Sequence, residues 1–211
     1  MIITVSRQFG AGGSEVARRV AAELGWRVVD NELVDRVAAR AGLPPEEVAR
    51  KEERAPGFVE RLARALARSA PELFLRSAER VPEPEEATLV RVTEAVVGEI
   101  AAEGRVVMVG RAAAAVLRGD HDALHVKLVA PRPFRTRAAV ERLGVDPKDA
   151  ERVLHETDAG RARYQRQHYG RDWDDPSGYH MVLNTELLGL DGATDIIVAY
   201  ARRRWMRDAG R

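Results

Sequence analysis

Residues 2–29 constrain this chain more than any other segment. Ile2-Ile3-Thr4-Val5 is a short β-branched run of the kind a buried parallel strand shows. The glycine cluster Gly10-Ala11-Gly12-Gly13 follows it. From Ser14 onward, Val16, Val20, Ala21 and Leu24 fall on one helical face, and Gly25 closes that helix. Trp26-Arg27-Val28-Val29 then reads as a second strand. Strand, glycine loop, helix and strand in thirty residues open a parallel α/β fold.

The pattern continues with a helix over 31–41 ended by Gly42, and then changes. From Pro44 to Glu86 the chain is rich in Ala, Arg, Glu and Leu, has no strand candidate, and is divided by Pro56, Pro71, Pro82 and Pro84. Helices are expected over 45–54, 58–69 and 72–80, before a Pro/Glu linker at 81–86. The α/β rhythm resumes with a helix over 88–103, a strand over 105–109, a short helix after Gly110-Arg111, and a strand near 124–130. Pro131 starts a helix to about 143, and Asp146-Pro147 is a good cap and first-turn pair for a long helix to about 168. A last strand is expected over 181–183 and a last helix over 191–205. The whole reads as a three-layer α/β P-loop fold of about five parallel strands. Its core would be 1–43 and 87–211, with a lid segment near 155–176, and 44–86 would be a helical substrate-binding insertion.

Composition excludes several functions. The chain of 211 residues has no cysteine, so it has no disulfide, thiolate metal site or cysteine nucleophile. No run of eighteen apolar residues marks a membrane span, and the N-terminal stretch lacks a charged region with a cleavage site, so a cytoplasmic protein that leaves membranes alone is expected. The net charge of +1 gives no support to nucleic-acid binding. The basic run Arg202-Arg203-Arg204 instead suits the negative end of a terminal helix. His121, His125, His155, His168 and His180 show no metal-ligand spacing. Nucleotides are the expected partners, and oligomeric state is not specified.

The glycine loop carries the chemistry. Between a strand and a helix, its backbone N–H groups converge on an anion and the helix dipole adds positive potential. Gly10, Ala11, Gly12, Gly13 and Ser14 are the expected ATP phosphate site, with the Ser14 hydroxyl on Mg²⁺. The pattern G-x-x-x-x-G-K-[ST] is broken twice: Arg7 replaces the first glycine and Gly13 the lysine. The dinucleotide pattern G-x-G-x-x-G also fails, at Glu15, yet Asp30 lies twenty residues after Gly10, where a ribose-binding acid would stand.

Several segments together resemble cytidylate kinases, and more closely the divergent cytidylate kinase-like family, in which glycine in place of the loop lysine is usual. They are Ile3-Thr4-Val5 with Gly10-Ala11-Gly12-Gly13-Ser14, and Leu24-Gly25-Trp26-Arg27-Val28-Val29-Asp30 with Arg36. Glu103 to Arg111, Asp158 to Tyr164, Gly170-Arg171-Asp172-Trp173 and Val182-Leu183-Asn184-Thr185 complete the set. The resemblance implies a nucleoside monophosphate kinase that uses ATP and Mg²⁺ on a (d)CMP-like acceptor. It implies acceptor contacts from Asp30, Arg36 and Arg111, and lid chemistry from Asp158, Arg161 and Arg163. The chain departs from cytidylate kinases at Ala112, where an acid that helps with the nucleoside is expected, and between Asp30 and Arg36.

The residues themselves admit other readings. Arg7 is the nearest arginine to stand in for the lysine, or an exposed loop residue. Asp158 and Arg161 lie one turn apart and could form an ordinary surface pair. Trp173 could stack on a base or belong to the core. Two function classes remain beside the kinase: a P-loop protein that binds a nucleotide without transfer, acting as a sensor or interaction module, and an NAD-dependent oxidoreductase resting on Asp30.

Overall fold

Strand β1 (Ile2–Arg7) is the centre of the architecture, paired in parallel with β3 (Val106–Val109) on one side and β4 (Ala123–Val129) on the other. The computed structural model describes residues 1–30, 40, 86–110 and 112–206. Among these residues, β2 (Arg27–Val29) and β5 (Met181–Asn184) complete a five-stranded parallel sheet in the order β2-β3-β1-β4-β5. The helices are α1 (Gly13–Leu24), α2 (Glu86–Glu103), α3 (Ala113–Val116), α4 (Arg132–Leu143), α5 (Pro147–Tyr169) and α6 (Thr185–Met206). The expected insertion at 44–86, apart from Glu86, lies outside the described residues, as do Arg36 and Arg111 and, apart from Arg40, the expected helix over 31–41.

The parallel sheet is covered on both faces, which is why its strands read as apolar runs. Ile3 and Val5, with Val107, Val109, Leu124, Val126 and Leu128, pack on Val16 and Val20 of α1 and Ala193 and Ile197 of α6. The alternate side chains Ile2, Val106, Met108 and Ala123 pack on Leu89, Val97 and Ile100 of α2 and Ala113 of α3. The order β2-β3-β1 puts β3 between the first two strands. The dinucleotide-binding order 3-2-1-4-5-6 keeps β2 beside β1, so the topology withdraws support from the oxidoreductase reading.

Local signals account for most element ends. Asp146 accepts from Lys148 N at 2.9 Å and Asp149 N at 3.0 Å, with Pro147 in the first turn of α5. The last helix differs from expectation, because it starts at Thr185 and breaks at Gly189, where φ is 67° and ψ 171°. Asn184 accepts from Glu186 N at 3.0 Å and so caps a turn of helix directly at the end of β5, a role its strand context conceals. Among the described residues, no helix is long and apolar enough to cross a membrane.

One part of the sheet face is polar yet buried. Thr4 and His125 are register neighbours, joined through Oγ1 and Nδ1 at 2.8 Å. Lys127 Nζ donates to Asp174 Oδ1 at 2.7 Å and lies 4.0 Å from the Trp173 ring centroid. Trp173 is 3% exposed, which settles it as a residue of the fold's interior.

Burial, then the nearby His180 and Arg171, holds the His125 imidazole down at about 4. The unfolded chain titrates near 6.5, so between pH 6.5 and 4 it binds a proton that the native state refuses. Stability is therefore expected to fall as pH drops through this window, by up to about 3 kcal/mol from this group. Urea unfolding at pH 7 and pH 4.5 checks it. His125→Gln should flatten that limb, and an unchanged slope would exclude His125 as its source.

Candidate functional site

Beyond Arg7 the chain turns across the carboxyl edge of the sheet, where open α/β folds bind ligands. Gln8 N donates to Leu128 O at 3.0 Å, and Gln8 Oε1 accepts from Ala130 N at 3.2 Å, tying the turn to the end of β4. Ala11 is fully buried in the core shared with α1 and α6. The flanking glycines are required twice over. Gly10 and Gly12 have φ of 80° and 76°, and added Cβ atoms would stand 2.7 Å from Arg135 O and 2.5 Å from Leu190 Cδ2. Gly12 caps α1 without a side-chain hydrogen bond, so no side chain occupies the first amides of that helix.

The loop floors a cavity of about 690 Å³, lined by Arg7, Gly10, Gly12, Gly13, Ser14, Asp30, Arg18, Arg142 and Arg161 among others. Ser14 Oγ donates to Asp30 Oδ2 at 2.7 Å, which sets two hard oxygens side by side at the start of α1. Among the described residues, no three His, Cys, Asp or Glu side chains form a metal cluster. The Ser14–Asp30 pair still suits Mg²⁺, which takes one or two protein oxygens and completes its shell with water and phosphate.

Asp158 sits behind the loop. Its Oδ1 accepts from Phe9 N at 2.8 Å, and its Oδ2 from Arg135 Nη1 at 2.7 Å. Arg161 Nη1 lies 3.4 Å from Asp158 Oδ1 and donates to Arg7 O at 3.0 Å. Arg135 also donates to Phe9 O at 3.2 Å and Ala130 O at 2.8 Å. Burial pushes the Asp158 carboxyl above the ordinary aspartate value, opposed by the Phe9 amide and the two guanidinium groups. A smaller cavity of about 280 Å³ lies on the other side of this cluster, lined by Arg132, His155, Asp158 and Trp173 among others.

The structure thus brings Arg7, Gly10, Gly12, Gly13, Ser14, Asp30 and Arg161 to one cavity, with Asp158 supporting the loop. Arg163 is exposed and lines neither cavity. Sequence reasoning missed Arg135, Arg142, Arg18 and Gln8. Arg135 and Arg142, seven residues apart on the helix that follows β4, carried a readable signal: two cations on one face at the ligand-binding edge.

The family model described as the cytidylate kinase-like family matches residues 2–187. A cytidylate kinase from Methanopyrus kandleri is 33% identical over 111 residues, 48% of this chain and 56% of that protein, so the match spans little more than half of the relative's length. A solved structure of an uncharacterized protein from Eubacterium ventriosum superposes with a TM-score of 0.68 at 21% identity, covering 95% of this chain and 98% of that one. Shikimate kinase from Bacteroides thetaiotaomicron gives 0.52 at 13% identity over 93% and 95% of the two chains. A gluconokinase from Sinorhizobium meliloti gives 0.52 at 12% over 97% and 95%. These likenesses establish the three-layer α/β P-loop fold.

Removing the carboxylate from the loop support leaves two partly buried cations without it. Asp158→Ala should cost about 3 kcal/mol, or roughly 6–12 °C of melting temperature. Exposed Arg163→Ala should change stability by less than about 0.5 kcal/mol. Thermal unfolding of both variants checks the contrast, and equal melting points would contradict a supporting role for Asp158.

Proposed function

The chain belongs to the cytidylate kinase-like family, and on that premise we propose that it is a nucleoside monophosphate kinase-type phosphotransferase, moving the γ-phosphoryl group of ATP to a (d)CMP-like nucleotide. The observation that carries this reading is the cationic cavity over the glycine loop, with the uncapped start of α1 and the Ser14–Asp30 pair at its base.

Phosphoryl transfer asks little covalent work of a protein and much positioning and charge neutralisation. The amides of Gly10 to Ser14 receive the polyphosphate, aided by the positive end of α1. Ser14, whose hydroxyl is hydrogen-bonded to Asp30, would hold Mg²⁺, which neutralises phosphate charge when bound. An acceptor phosphate oxygen attacks the γ-phosphorus, the bond to the β–γ bridging oxygen breaks, and ADP departs. Arg161, Arg18 and Arg142 border the cavity where that charge is spread. Arginine suits this role because its fork grips phosphate through two N–H groups. Asp30, Arg36 and Arg111 are proposed for the acceptor.

A second reading, nucleotide binding without transfer, draws on one observation: Gly13 occupies the position of the loop lysine. A coupled ADP-release assay across CMP, dCMP, UMP and AMP separates the two, with ATP–Mg²⁺ as donor. Release with the cytidine monophosphates is expected. ATP binding with no release for any acceptor would favour the second reading. Arg161→Ala should lower turnover roughly 30- to 1,000-fold, by the about 2–4 kcal/mol that one charged contact supplies in a transition state. Full activity in that variant would remove Arg161 from the mechanism.

A further inference from the structure

Arg7 and Gly13 have exchanged roles relative to the common phosphate-loop pattern, in which glycine stands first and lysine seventh. The structure puts the two positions in contact. A Cβ added to Gly13 would lie 2.5 Å from Arg7 Cγ and 2.7 Å from Arg7 Cβ. The Arg7 Cβ is fixed to the backbone, so it cannot swing aside without moving the end of β1. Gly13 is not among the positive-φ glycines, so its backbone does not call for glycine; the Arg7 stem does. At the other end of the side chain the guanidinium lies against Gly110, just past β3, whose φ of 73° calls for glycine by itself.

Arg7 therefore runs past the absent Cβ of Gly13 at the start of α1 towards the end of β3, and it lines the loop cavity. A lysine at position 13 would leave the first turn of α1 through the volume that the Arg7 stem fills. The fold has room for an arginine from β1 or a lysine from α1.

We infer that Arg7 is the phosphate-gripping cation of this loop, and that Gly13 is a glycine so that the arginine can pass the start of α1 and reach the polyphosphate of a nucleoside triphosphate. The inference rests on the reading of the loop as a nucleotide phosphate site. A guanidinium supplies a permanent charge and two parallel donors in place of one ammonium, so the cation can arrive from the strand side and still engage two phosphate oxygens.

The test is an exchange. Wild type, Arg7→Ala, Gly13→Lys and the double variant Arg7→Gly/Gly13→Lys are titrated calorimetrically with sodium tripolyphosphate plus Mg²⁺ and with ATP–Mg²⁺, and their melting points are recorded. Arg7→Ala should weaken both ligands about 10- to 100-fold with little change in melting. Gly13→Lys alone should melt lower and gain no affinity. The double variant should recover to within about fivefold of wild type, a non-additivity expected of residues in contact. Arg7→Gln, which keeps a stem past Gly13 without the charge, gives the same readout if Arg7→Ala fails to fold. Wild-type affinity in a folded Arg7→Ala or Arg7→Gln protein overturns the inference, as does a folded double variant that recovers nothing. If wild type releases ADP and Arg7→Ala releases it equally, the inference falls and the transferase reading stands. If tripolyphosphate binding depends on Arg7 but no acceptor yields ADP, the transferase reading falls and the inference stands.

Discussion

A carboxylate taken out of water must be repaid locally, and the Asp158 site shows how that requirement organises the loop. Its desolvation is partly offset by the Phe9 amide and by Arg135 and Arg161. Those partners come from three separate elements: the loop itself, α4 and α5. Satisfying one buried charge therefore docks the α4–α5 hairpin onto the loop. The backbone carbonyls of Arg7, Phe9 and Ala130 take further guanidinium donors. A loop of glycines has little side-chain packing of its own, so this outside support substitutes for it.

The same economy of small residues shapes the cavity. Gly10 and Gly12 let the backbone adopt left-handed turns against Arg135 and Leu190. Gly13 leaves a path for a long side chain. In one case glycine serves the backbone and in the other a neighbour, and only the φ values separate the two. The result is a loop whose amides and nearby cations converge on one volume, the arrangement that an anionic ligand needs.

Beneath the site, the sheet face under residues 171–179 is polar but enclosed. Lys127 and Arg171 are stacked on the rings of Trp173 and Tyr179, so the two cations are held inside the fold by aromatic faces and carbonyl acceptors. This segment follows directly on the long α5 helix that carries Asp158.

Period and punctuation in the sequence already determined the α/β class, the glycine loop, the Asp146 cap and the count of five strands. Each of these depends on residues close together along the chain, where hydrogen bonding and side-chain spacing act directly. Motif order likewise carried the family. Tertiary structure decided what the motif residues do for one another. Asp158 and Arg161 looked like a helical pair, yet they bind backbone more than a hundred residues away. Trp173 looked able to meet a base, and burial placed it over Lys127. A turn of helix precedes the expected last helix, across the break at Gly189, because Asn184 found a capping geometry at the end of β5. The exchange of Arg7 and Gly13 was visible as two substitutions, but their dependence on each other was not. It arises where the end of β1 meets the start of α1, and steric exclusion between two side chains exists only once the fold has set that distance.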